Sequence, residues 1–73
     1  MACMRKQLMA KNYSATKWRE LIDDWVFSSK HREIVKDWLL NGMTEEEVAE
    51  KHGYSVRNVA KILALSFVRL VDL

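Results

Sequence analysis

A chain of 73 residues with net charge +2 holds one small domain and no more. Hydrophobic residues make up 49% of it, proline is absent, only two glycines occur and no long β-branched alternating run is present, so an all-α fold with few, short turns is expected. Cys3 is single and allows no internal disulfide, and no apolar run approaches the ~18 residues of a membrane span, so a reducing, cytoplasmic setting without a membrane partner is the expectation.

The charge is unevenly spread. Residues 1–36 carry eight Lys/Arg against four acids, and residues 37–73 carry four against six. The basic excess therefore lies in the first half. The first thirteen residues, MACMRKQLMAKNY, have no uninterrupted apolar core of a secretory leader. They are read as a frayed or helical basic arm, 1–13, preceding a single domain, 14–73.

Four helices are predicted in that domain. The first covers 15–27. Trp18, Leu21, Ile22, Trp25 and Val26 fall at offsets that make one apolar stripe, and Ser14 or Thr16 can cap its start. The second covers 30–41, with Ser28 or Ser29 as cap and Ile34, Val35, Trp38 and Leu39 on its buried face. Gly42 follows and suits the left-handed residue that ends a helix. Trp18, Trp25 and Trp38 are expected to meet in one core with Ile22, Ile34, Val48, Val59 and Ile62.

The third helix covers 45–52. Thr44 and Glu47 have the spacing of a capping box, and Glu45, Glu46 and Glu47 fill the first turn, where the helix dipole favours negative charge. Adjacent acids point to different faces, so the run reads as a helix start and not as a metal or catalytic site. His52 is read as a partly exposed side chain closing the turn. Gly53 ends the helix.

The fourth helix starts after Ser55 and is expected to reach residue 71, ~24 Å at ~1.5 Å per residue. Val59, Ile62, Leu63, Ser66 and Leu70 make one stripe, and Val56, Ala60, Ala64, Phe67 and Val71 a second, with Leu65 and Val68 between them. Beyond residue 62 the helix is apolar nearly all round, which a domain of this size cannot bury alone. Ala64, Leu65, Phe67, Val68 and Val71 are therefore expected to meet a partner, a second copy of the chain first of all.

The stretch 44–62, TEEEVAEKHGYSVRNVAKI, joins the last two helices through a tight turn. Ala49 is small where the helices must touch, Gly53 can adopt positive φ, and Val48, Val59 and Ile62 face inward. That combination predicts a helix-turn-helix, which puts one helix into the major groove of DNA.

The segment SSKHREIVKDWLLNGMTEEEVAEKHGYSVRNVAKIL resembles the trihelical helix-turn-helix of LuxR-type regulators and of the fourth region of sigma factors. It is similar, too, to the N-terminal DNA-binding domains of some transposases and phage terminase small subunits. The shared residues are R-E-I-V of the second helix, the Asn-Gly ending it, E-E-V-A of the third, Gly53, and S-V-R-x-V opening the fourth. The likeness covers 29–66, about half the chain. It implies a DNA-binding protein, a small bacterial or phage transcription regulator, whose fourth helix reads double-stranded DNA. On that reading Ser55, Val56, Arg57, Asn58 and Lys61 face the DNA. Arg57 suits a bidentate contact to guanine, Asn58 suits adenine and Lys61 a phosphate. Thr44 and Ser55 would hold phosphates at helix N-termini. LuxR-type helices usually carry Thr where this chain has Asn58, Lys where it has Ala60 and His where it has Ile62, so the reading face is poor in cations. Two copies would bind successive major grooves ~34 Å apart.

An adaptor that keeps this fold and works through the apolar surface of the last helix is the alternative. An enzyme is not expected. His31 and His52 are the only histidines, no second cysteine completes a zinc site and no Gly-rich phosphate loop occurs. No metal, cofactor or small-molecule substrate is implied.

Overall fold

The computed structural model describes residues 4–73. Cys3 lies outside the described residues. Five helices follow one another: α1 (Met4–Met9), α2 (Ala15–Trp25), α3 (Ser29–Leu39), α4 (Glu45–His52) and α5 (Val56–Leu70), with no strand among the described residues. The all-α expectation holds, with one helix more than the four predicted.

Local chemistry starts the helices. Ser14, Ser28, Thr44 and Ser55 sit in extended conformation ahead of α2, α3, α4 and α5, and each side-chain oxygen accepts a backbone N–H three residues on. Each such cap is worth about 1 kcal/mol. At α4 the capping box is complete. Thr44 Oγ1 accepts from Glu47 N at 3.1 Å, and Glu47 Oε1 accepts from Thr44 N at 2.9 Å.

The ends are as local as the starts. Val26 leaves the helical region at φ −108°, ψ 110°, so α2 stops at Trp25 and not at residue 27. Leu40 and Asn41 both donate to the Lys36 carbonyl, and Gly42 at φ 68° turns the chain out of α3.

The core is made of Leu8, Trp18, Ile22, Ile34, Val35, Val48, Val59, Leu63 and Leu70, all fully buried. α5 is the central element and touches each of the other four helices. Its buried line is Val59, Ile62, Leu63, Ser66 and Leu70, the first of the two stripes read from the sequence.

Two expectations are corrected and a third is narrowed. Of the 1–13 arm, Met4–Met9 form the docked helix α1. Leu8 is fully buried, the Arg5 guanidinium lies 5.3 Å from the Trp38 ring centroid, and Arg5 donates to the Met43 carbonyl at 2.5 Å. A cation over an indole face and a buried leucine suffice to hold a short helix that no cap announces. Of the three tryptophans, Trp18 and Trp38 lie in the one core, Trp18 beside Tyr13 and Trp38 beneath Arg5, while Trp25 is exposed. Trp25 is the last residue of α2 and projects past the final core layer, which Val26 closes instead. The His52 side chain is only 6% exposed, because Asp37 draws it inward.

Candidate nucleic-acid interface

The α4–α5 corner is a three-residue connection, Gly53, Tyr54 and Ser55. Gly53 adopts φ 70°, ψ 30°, a conformation open to glycine at no steric cost. The Ala49 carbonyl then accepts from both Gly53 N and Tyr54 N. Ala49 itself is buried, and its methyl group lets α5 approach closely. Val48, Val59 and Ile62 close the inside of the corner. Ser55 Oγ accepts from Asn58 N at 3.1 Å and starts α5 immediately after the reversal.

On the outside of α5, Val56, Arg57, Asn58 and Lys61 are all exposed. Two cations and an amide thus project from the first two turns, and no acid stands in the first turn. The positive end of this helix is free of a local counter-charge. α4 is the opposite case. Its first turn holds Glu45, Glu46 and Glu47, and Thr44 has both its hydroxyl and its N–H taken up by Glu47. The Thr44 N–H bond holds the Glu47 carboxyl below its usual range, so the site is already occupied by an anion. Thr44 also stands at the far end of α4 from Ser55, ~12 Å along an eight-residue helix. The corner brings Ser55, Val56, Arg57, Asn58 and Lys61 together and leaves Thr44 out.

Lys30 joins this end of the molecule. It lies in the first turn of α3, and its Nζ is 5.9 Å from the centroid of the Tyr54 ring. The third cation therefore comes from a helix 24 residues away in sequence from Tyr54. Nothing local marks Lys30 for that position, since its neighbour is set by how α3 crosses the corner.

The back of the corner is fixed by a polar node that sequence reasoning missed. Asp37 on α3 is 6% exposed. Its Oδ2 accepts from His52 Nε2 at 2.7 Å and from Lys51 Nζ at 3.0 Å, and its Oδ1 accepts from Asn41 Nδ2 at 2.8 Å. Burial pushes this carboxyl up, but the bonds from His52, Lys51 and Asn41 together outweigh it and hold the group below the ordinary carboxylate range. An ionised carboxylate only accepts, so His52 Nε2 carries the hydrogen. Asp37 and His52 thus tie the end of α4 to α3 and orient the α4–α5 reversal. The node lies beside an open cavity of about 360 Å³ that Arg19, Glu33 and Lys36 also line.

The residues expected at a partner surface divide. Ala64, Leu65 and Val68 are exposed, whereas Phe67 and Val71 turn inward and pack against the core. Among the described residues no group of three or more His, Cys, Asp or Glu gathers to hold a metal ion, and no helix is long and apolar enough to cross a membrane. No family model, curated protein or solved structure matches the chain.

Proposed function

We propose that this chain binds double-stranded DNA, with α4, the 53–55 turn and α5 acting as a helix-turn-helix. The observation that carries the reading is the outer face of α5, where Arg57, Asn58 and Lys61 project from the two turns that follow the corner. Arg57 offers a guanidinium fork to guanine, Asn58 offers an amide to adenine, and Lys61 and Lys30 reach phosphates on either side. The rigid corner supports it, because a reading helix must be held at a fixed angle to the body that meets the backbone. A small bacterial or phage transcription regulator is the role this reading suits. Few cations face outward here, and phosphate contacts supply most affinity, so one copy alone binds weakly.

The test is retention of a random-sequence duplex pool at about 50 mM salt, where phosphate contacts are strong. The chain retains DNA, and Arg57→Ala with Lys61→Ala abolishes retention. No retention by the unmodified chain refutes the reading.

Exposed Leu65 and Val68 favour a second reading, a protein-interaction adaptor working through the apolar outer face of α5. The Arg57 and Lys61 substitutions leave that function intact, which separates the two.

A further inference from the structure

We propose that Trp25, Phe27, Leu65 and Val68 form the surface on which two copies of this chain pair. This surface is independent of the DNA reading and stands or falls without it.

Six large hydrophobic side chains are exposed among the described residues, and four of them stand on two segments, Trp25 and Phe27 at and just beyond the end of α2 and Leu65 and Val68 on the outer face of α5. Phe27 and Leu65 line a single groove of about 250 Å³ together with Val26, Ser66 and Arg69. Arg69 ties the remaining side to it. Its guanidinium carbon lies 4.8 Å from the Phe27 ring centroid, and its Nη1 donates to the Trp25 carbonyl at 3.4 Å. Val68 is one helical turn beyond Leu65 on the same outer face.

The area fits a second copy. Trp25 is 45% exposed, Phe27 68%, Leu65 58% and Val68 68%. With aromatic side chains of ~150–250 Å² each and aliphatics somewhat smaller, the four leave on the order of 500 Å² in water. That is near the upper end for a patch left bare on a monomer. Two copies meeting face to face bury about 1,000 Å², the size at which a specific interface begins.

Each copy carries an exposed Phe27 ring and, beside it, an open groove of about 250 Å³. A twofold pair needs both features on one surface. The Arg69 cation already faces the Phe27 ring and the Trp25 carbonyl.

Sedimentation equilibrium on the full chain without DNA, from about 1 µM to about 100 µM, tests this over the range a small interface spans. The expected mass is twice the 8.6 kDa of one chain at the upper end, falling towards one chain on dilution. Leu65→Glu keeps helix propensity and Phe27→Ser lies in the α2–α3 connection, and each raises the dissociation midpoint tenfold or more. Trp18 and Trp38 are buried, so acrylamide quenching of fluorescence reports Trp25 and weakens as the concentration rises. A single-chain mass throughout overturns the proposal, as does a pair whose midpoint neither substitution moves. Should a variant lose its helical circular dichroism, the unmodified chain decides: quenching that does not change with concentration refutes the pairing surface.

Discussion

Replacing Asp37 by Asn tests whether the α3–α4 node holds the corner. The native carboxylate accepts three hydrogen bonds, from His52, Lys51 and Asn41. The Lys51 side chain is half-exposed, and solvent screening leaves its contact worth at most about 1 kcal/mol. The His52 side chain is buried, and an asparagine in place of Asp37 can present only one carbonyl oxygen to the donors around it. One buried donor then loses its acceptor or faces the new amide, at a cost of ~1–3 kcal/mol. The net expectation is a loss of about 2–3 kcal/mol, which lowers Tm by ~8–24 °C in a domain of this size. Thermal melts followed by far-ultraviolet circular dichroism at neutral pH measure it. The pH dependence gives a second reading. The Asp37 carboxyl is held below its ordinary range, so its contribution is full above about pH 4 and is lost as pH falls through the lower folded value. The gap between native and Asp37→Asn stabilities therefore closes in acid. Asp23, lowered mainly by its bond to Lys36, and Glu47 titrate in the same direction. Both are present in both proteins and cancel in the difference. A Tm change below about 2 °C, or a gap that stays constant down to about pH 2, refutes the reasoning.

Trp38→Ala removes a buried indole and costs about 3–5 kcal/mol, whereas Trp25→Ala at low protein concentration costs under about 1 kcal/mol because its ring is exposed; urea midpoints separate them. Leu8→Ala lowers stability by about 2–5 kcal/mol in the same assay if α1 is docked as described, and an unchanged midpoint means that it is not. Gly53→Ala meets no atom within 4 Å of the added methyl group, so its cost, roughly 1–2 kcal/mol, comes from the positive φ alone. A neutral result there means that the turn relaxes to another conformation.

What the sequence disclosed was what is local. Ser14, Ser28, Thr44 and Ser55 are caps because a hydroxyl three residues before an N–H needs no tertiary neighbour to bond it. The buried stripe of α5 and the left-handed Gly53 are local in the same sense. Trp25 lies outside the core because helical periodicity names a face but not where the layer beneath that face ends. The docking of α1 has no local signature because its hold is non-local: Arg5 bonds a carbonyl 38 residues away. Asp37 and His52 are separated by 15 residues, and neither has a sequence neighbour that announces the other. Lys30 reaches the corner for the same reason. The candidate site was thus legible along α5 and illegible wherever a second helix supplies a residue.

The two proposals meet on α5, whose outer face changes character along its length. Arg57, Asn58 and Lys61 face outward first, and Ala64, Leu65 and Val68 follow them. From Arg57 to Val68 is ~16 Å along the helix at ~1.5 Å per residue. A twofold axis passing by the distal end can then carry the two reading turns up to ~33 Å apart, close to the ~34 Å between successive major-groove faces. Pairing also corrects the shortage of cations. One copy brings two phosphate-facing cations, Lys30 and Lys61, and two copies bring four. With ~0.9 of a counterion released per phosphate neutralised, the slope of log affinity against log salt is about −4 for the pair and about −2 for one copy. Leu65→Glu removes no DNA-facing cation, yet it should shift the slope from the first value to the second. Lys30→Gln in the paired protein removes two contacts and should lower the slope by about 2. A slope near −2 in the native chain that Leu65→Glu leaves unchanged means that DNA is bound one copy at a time, even if the copies pair in its absence.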